Sequence, residues 1–289
     1  MPLWMKIALV ATGVDWSGRL WWFTQQGVVG TLDRTTGAVR VLDLGEGIFN
    51  SISGDETDGM YVVTTHRTYR LDATADGTPE VTWAIPYDRG STKKPGMLSQ
   101  GSGTSPTLIG ERWIVIADNA EPQSNVIVYD RRKSAADREH CKVPVLASGA
   151  STTENSLVAA GNSVIIENNY GYAGVQSTLL GRSTTPGISR VMIDDDGCHV
   201  AWTNPTIAPT SVPKASLGNG LLYVYSKPKG NLLDPWYVTA IDIRTGKTAW
   251  SRLTGTGIQW NNHYASTYLG PDGAFYIATI TGLIRLTDG

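Results

Sequence analysis

Tyr237-Val238-Thr239-Ala240-Ile241-Asp242-Ile243-Arg244-Thr245-Gly246-Lys247-Thr248-Ala249-Trp250 reads as one β-hairpin. Apolar and polar residues alternate up to Asp242, Thr245-Gly246 makes a tight turn, and the returning strand ends in a tryptophan. Weaker copies recur along the chain. Thr31-Leu32-Asp33-Arg34-Thr35-Thr36-Gly37-Ala38-Val39 is the nearest, residues 69–77 are looser, and 191–197 looser still. Val128-Tyr129-Asp130 begins another, and 283–289 ends the chain inside a last one. A repeat in steps of roughly 40 to 60 residues predicts a β-propeller of four-stranded antiparallel blades.

The hairpin at 237–250 resembles the outer strands of a quinoprotein-like (pyrroloquinoline-quinone-like) propeller repeat. That repeat has an apolar strand, Asp, two variable residues, Thr-Gly-Lys and a strand ending in Trp. Asp242, Thr245-Gly246-Lys247 and Trp250 match it closely, and 34–39 matches fairly. In that family the Asp and Thr-Gly shape the turn and the Trp packs between blades. The resemblance therefore implies the fold of the whole chain and leaves the cofactor open. The family is mostly exported, which implies a secreted or periplasmic protein. A short apolar run at 6–14 passes into Asp15-Trp16 without a small-residue cleavage site, so it reads as a strand, and a cytoplasmic location stays open too.

With 289 residues, 41% hydrophobic and 17% charged, the chain can bury a sizeable core, and the repeat assigns 1–289 to a single domain. Net charge is −2 and the longest basic run is Arg131-Arg132-Lys133, so no nucleic-acid or anionic-membrane surface is expected. No stretch reaches the ~20 apolar residues of a membrane span. Thirty-two Gly and fourteen Pro suit many turns, and ten Trp read as packing wedges. Cys141 and Cys198 each begin an outer strand of a different blade. One disulfide and two free thiols both remain open.

Alternation and turn signals place the first blade at 6–12, 19–24, 28–33 and 38–44, and the second at 50–53, 59–65, 67–72 and 80–86. The third has 104–109, 112–117, 125–130 and 141–146, and the fourth 155–160, 163–167, 188–193 and 198–203. The fifth has 213–217, 221–226, 237–243 and 248–253. A sixth has only 265–268, 274–279 and 283–286. The most economical reading is six blades with the last incomplete. Residues 1–5 could close it, the ring could be a portion of a larger one, or a partner protein could cover the edge.

In a propeller the connections between blades and the second-to-third-strand connections within them gather at one mouth of the central channel. Inner-strand starts bring Asn50, Glu154, Asn155, Lys214 and Asn262-His263 there. The within-blade connections bring His66, Asp118 and Glu167-Asn168-Asn169-Tyr170. Oxygen ligands from several loops suit Ca²⁺, which takes six to eight of them. The set looks like the central calcium site of six-bladed lactonase and gluconolactonase propellers. That likeness implies Glu154, Asn50, Asn155 and Asn262 as metal ligands, Asp118 as a further ligand or base, and His263 as a proton shuttle. His66 is a second catalytic candidate. Glu167, Asn168, Asn169, Tyr170 and Lys214 would contact a small-molecule substrate. The competing reading has these Asn and Asp satisfying their own backbone as ordinary loop residues.

No G-x-S-x-G elbow and no phosphate loop occurs. Pyrroloquinoline quinone would need a flat aromatic slot and several basic contacts. Trp260 or Trp16 offers a floor, but nearby cations reduce to Lys214, Lys227 and Lys229, so this cofactor is possible without being favoured. The small-residue segment 168–187 reads either as a lid or as a mobile loop. Three functions follow: metal-assisted hydrolysis of an ester or lactone at the channel mouth, a non-catalytic scaffold or binding propeller, and a quinone-dependent dehydrogenase.

Overall fold

The turn at Asp242–Gly246 forms as its residues dictate. Asp242 Oδ1 accepts the Thr245 backbone N–H at 2.7 Å and the Thr245 hydroxyl at 2.8 Å, and the Gly246 N–H reaches the Asp242 carbonyl at 2.8 Å. Gly246 sits at φ +71°, a left-handed conformation open to a residue without Cβ. The same unit recurs in a computed structural model whose described residues are 8–132 and 137–287. Outside them lie the expected closing segment 1–5, the start of the strand expected over 6–12, Lys133 of the basic run, and Asp288-Gly289.

The described residues make six antiparallel sheets, the blades of a propeller. Blade I holds β1 (Leu9–Val14), β2 (Leu20–Thr24), β3 (Val28–Leu32) and β4 (Val39–Asp43). Blade II holds β5 (Ser53–Gly54), β6 (Met60–Val63), β7 (Arg67–Ala73) and β8 (Pro79–Pro86). Blade III holds β9 (Thr107–Ile109), β10 (Trp113–Ala117), β11 (Asn125–Asp130) and β12 (Glu139–Pro144). Blade IV holds β13 (Val158–Ala159), β14 (Ser163–Glu167), β15 (Ile188–Asp194) and β16 (Gly197–Asn204). Blade V holds β17 (Lys214–Ser216), β18 (Leu221–Ser226), β19 (Pro235–Asp242) and β20 (Thr248–Thr256). Blade VI has three strands among the described residues, β21 (Thr267–Leu269), β22 (Phe275–Thr279) and β23 (Gly282–Leu286).

Innermost strands are shorter than alternation predicts. Those expected over 50–53, 104–109 and 155–160 shrink to β5, β9 and β13, because their first residues leave the ladder and bond toward neighbouring chain segments. In blade I the inner strand runs on to Val14, two residues past the expected end.

Period-two alternation turns successive side chains of each middle strand to opposite neighbours. Tyr61 and Val63 pack toward blade III, while Met60 and Val62 pack toward blade I. The result is five apolar cores, one between each consecutive pair of blades from I/II to V/VI. Outer strands add a further joint. Trp83, Cys141, Trp202 and Trp250 lie opposite Arg70, Val128, Arg190 and Ala240, each beside a one-residue bulge, so they occupy one equivalent position. From there Trp202 covers the next blade's turn: a Cβ on Gly246 would stand 2.5 Å from its ring, and its Nε1–H donates to the Ile243 carbonyl at 2.8 Å. In blade III the equivalent residue is Cys141, and a disulfide to Cys198 of blade IV stands where the tryptophan would.

Candidate functional site

Inner-strand starts are stitched from blade to blade around the channel. Asn50 Nδ2–H donates to the Ser102 carbonyl at 2.9 Å and Asn155 Nδ2–H to the Ser211 carbonyl at 3.1 Å. Asn262 Oδ1 accepts the Thr210 hydroxyl at 2.5 Å, and its amide donates to the Ala265 carbonyl at 3.1 Å. Hydroxyls of Ser53, Thr107 and Thr267 reach the carbonyls of Pro106, Leu157 and Val212 in neighbouring blades. Backbone leaving a sheet must find other partners for its polar groups, and short polar side chains provide them.

Two carboxyls stand apart from this stitching. Glu167 ends β14 with 1% of its surface exposed; Asn155 Nδ2–H donates to its Oε1, while its Oε2 has no partner. Burial pushes its pKa up to about 8, against the lowering effect of the Asn155 bond. Glu154 Oε1 accepts the Leu98 backbone N–H at 2.9 Å, and burial raises its pKa to about 7, offset in part by that bond and by Lys93. Tyr264 links the two. Burial raises its phenol, and the charges of Glu154, Tyr172 and Glu167 raise it further, while its buried hydroxyl has no partner. Glu154, Glu167 and Tyr264 are therefore buried groups near enough for the charge of either carboxyl to bear on the phenol. Tyr264 at φ +64° and His263 at φ +42° form a consecutive left-handed pair, a backbone cost that a bulky aromatic rarely bears.

Two long connections reach these groups, 87–103 between blades II and III and 168–187 within blade IV. They meet where the Gly171 N–H donates to the Pro95 carbonyl at 2.9 Å. Tyr172 reaches across to blade VI, its hydroxyl 2.9 Å from His263 Nδ1 and its ring edge-on to Tyr264. Farther along, Asp234 accepts the N–H groups of Leu180 and Gly181, both at 2.8 Å. Lys227 is fully buried, pairs with Asp234 at 2.8 Å and donates to the Arg182 carbonyl at 2.5 Å. This clasp gives the 168–187 segment a fixed seat.

The remaining candidates serve loops. Asp118 accepts from the Ala120 and Asn125 backbone and from Asn125 Nδ2, capping its own connection; burial raises its pKa. Asn168 Oδ1 takes the Thr152 and Tyr170 N–H groups, and Asn169 Oδ1 takes the Glu154 N–H. Tyr170 is partly exposed, and Lys214 lies 5.8 Å from the Tyr268 ring centroid. His66 is exposed beside the Thr65 hydroxyl, with its pKa lowered by desolvation and by Arg89. Sequence reading missed Tyr264, Tyr172 and the Lys227–Asp234 clasp. Adjacency to Asn262-His263 was the one available signal, for Tyr264 alone.

Among the described residues no group of three or more His, Cys, Asp or Glu side chains is gathered for a metal. No helix among them is long and apolar enough to cross a membrane.

Fold and site together define a six-bladed β-propeller with a covered channel mouth. No known protein-family profile matches the chain. An uncharacterized protein of Archaeoglobus fulgidus is 27% identical over 282 residues, 85% of this chain and 53% of that protein. The chain thus spans about half the length of the curated relative it matches. Among solved structures, BamB from Moraxella catarrhalis superimposes with a TM-score of 0.60 at 14% identity, over 97% of this chain and 77% of BamB. A Bacteroides fragilis protein assigned provisionally as a 6-phosphogluconolactonase gives 0.57 at 11% identity, over 93% and 76%. At these identities the likeness is one of fold.

Proposed function

We propose that the channel mouth binds a small molecule and hydrolyses an ester or lactone with Glu154 and Glu167 as its acid–base pair. The observation that carries this reading is the buried Glu167 Oε2 without a partner, together with the unpartnered Tyr264 hydroxyl on which the charge of Glu167 acts. Buried polar atoms are nearly always satisfied, so an unpartnered carboxyl oxygen and phenol acting on each other support the place of a ligand. Glu154, with its pKa near 7, is suited to take the proton of an attacking water. Glu167, held protonated by burial, donates a hydrogen bond to the carbonyl oxygen and transfers that one proton to the departing alkoxide as the tetrahedral intermediate collapses, and the proton taken by Glu154 returns to Glu167 to complete the cycle. Tyr264 offers a second donor to the developing oxyanion. Tyr172 and the 168–187 segment exclude bulk water, and His263 at the Tyr172 hydroxyl offers a proton path outward.

The unpartnered carboxylate oxygen also fits a hard cation. Glu154, Glu167 and Asn155 are the residues that would hold Ca²⁺, whereas the Oδ1 of Asn262 already accepts the Thr210 hydroxyl. Bound there, the ion would polarise the substrate carbonyl. The fold shared with the provisional 6-phosphogluconolactonase supports the architecture of such a site and names no substrate.

A panel of esters and lactones tests the reading. Turnover in the wild type that falls about a hundredfold or more in both Glu154→Gln and Glu167→Gln is expected. A panel without turnover, or variants as active as the wild type, would remove the hydrolase. Elemental analysis and melting with and without a chelator decide the ion separately.

A further inference from the structure

Leu232 and Leu233 occupy the two central positions of a β-turn, where Gly, Pro, Asn, Asp and Ser are usual. The Asp234 N–H closes that turn on the Asn231 carbonyl at 3.0 Å, and Asn231 Oδ1 accepts the Leu233 N–H at 2.9 Å. Leu180, on the 168–187 connection, sits at φ +55°, a left-handed conformation that a bulky side chain seldom adopts. Leu180, Leu232 and Leu233 are 72%, 74% and 71% exposed. Turn chemistry calls for leucine at none of the three positions, and no blade core gains from them.

Asp234 gathers these tips into one surface. Its carboxylate takes the Leu180 and Gly181 N–H groups, its carbonyl accepts the Gly257 N–H at 2.9 Å, and the Gly230 N–H donates to the Gly181 carbonyl at 2.8 Å. Ile258, also exposed, follows Gly257 at the same edge. Arg182 and Lys229, both exposed, line one hollow of this surface with Gly181, Ser177 and Ser183, and no carboxyl lines it. Charge here is one-sided. Residues 168–187, 205–213, 227–234 and 254–266, the mouth-side connections from blade IV to blade VI, contain a single carboxyl, Asp234. Lys227 pairs with it at 2.8 Å, so these connections hold no carboxyl to spare for Arg182 and Lys229.

We propose that this surface docks on an anionic lipid bilayer, with Leu180, Leu232 and Leu233 entering the acyl boundary and Arg182 and Lys229 holding headgroup phosphates. Apolar side chains on turn tips beside a cationic hollow favour lipid over a folded protein. A protein would have to offer a cavity to each tip and a carboxyl to each cation, whereas a bilayer yields to any arrangement of tips and carries anions across its whole face. The Lys227–Asp234 clasp gives the leucines a fixed seat from which to enter. Net charge and basic runs conceal the surface, because its members come from separate stretches at 180–182, 229–233 and 258. Both 168–187 and 227–234 join the second strand of a blade to its third, so docking sets the channel mouth against the headgroups.

The probes are phosphatidylcholine vesicles with and without phosphatidylglycerol, sedimented with the 289-residue protein. Binding to the anionic vesicles is expected, weaker on phosphatidylcholine alone and falling as salt rises. Arg182→Gln with Lys229→Gln should weaken binding to the anionic vesicles by roughly thirtyfold and leave the neutral ones unaffected. Leu180→Asn with Leu232→Ser and Leu233→Ser suits the left-handed position and the turn, so the melting temperature should not fall. Binding to both kinds of vesicle should nevertheless weaken by roughly tenfold or more. Failure to sediment with anionic vesicles overturns the proposal in favour of a protein occupant. Vesicle binding that survives the leucine replacements overturns it as well, since charge alone would then account for it.

Discussion

Glu167 keeps its proton where an exposed glutamate has long lost one, and that has a sign. Its folded pKa, about 8, lies above its ordinary value of 4.5, so between those values the folded state holds a proton that the unfolded chain releases. Stability is then greatest below 4.5 and declines as pH rises toward 8. Glu167→Gln, which cannot ionise, should match the wild type near pH 4.5 and exceed it by on the order of 3 kcal/mol near pH 7 in chelator. Parallel melting curves across pH check this, and a wild type that gains on Gln with rising pH would refute the assignment. Glu154, Glu167 and Asn155 were legible as residues at strand ends because each starts or ends a predicted strand. Tyr264 was not, since nothing in a tyrosine announces a left-handed backbone.

At the scale of elements, alternation located the outer strands to within a few residues, because each pairs along its length with a buried middle strand and begins at a recognisable turn. Inner strands were overcalled, since Asn50 and Asn155 look like strand residues until their amides are seen bonding toward the next blade. The 168–187 connection, open between lid and loose loop in the sequence, is held by the Lys227–Asp234 clasp. Lys227 has no exposed side-chain surface, so a neutral Asp234 would strand a buried charge. Asp234→Asn is expected to speed amide exchange at Leu180 and Gly181 by tenfold or more, about 1.4 kcal/mol, with the blade cores unaffected. Unchanged exchange at those amides would show that the segment is seated without the Asp234 carboxylate.

For the whole molecule, the repeat in the sequence was enough to count six blades, because the turn residues Asp33, Gly37, Asp242 and Gly246 and the outer-strand Trp83, Trp202 and Trp250 have structural duties. The substitution at Cys141 hid one joint, and cysteine spacing alone could not pair it. The bond to Cys198 closes a loop with a sequence separation of 57. Chain-entropy arguments put its worth at roughly 4 kcal/mol. Cys141→Ser with Cys198→Ser should lose stability of that order in denaturant titration, and a loss under 1 kcal/mol would mean the III/IV core suffices without it.

The position of that cross-link around the ring has a mechanical meaning. Blades I and VI are the first and last of the ring among the described residues, and the III/IV joint lies diametrically opposite the joint between them. When a split ring is prised apart at its gap, bending is greatest at the point diametrically opposite, as in a spring clip. The one covalent tie between blades stands at that point. Strain applied at the joint between blades VI and I would therefore gather where the disulfide holds the ring, and reducing conditions would soften the ring at that point.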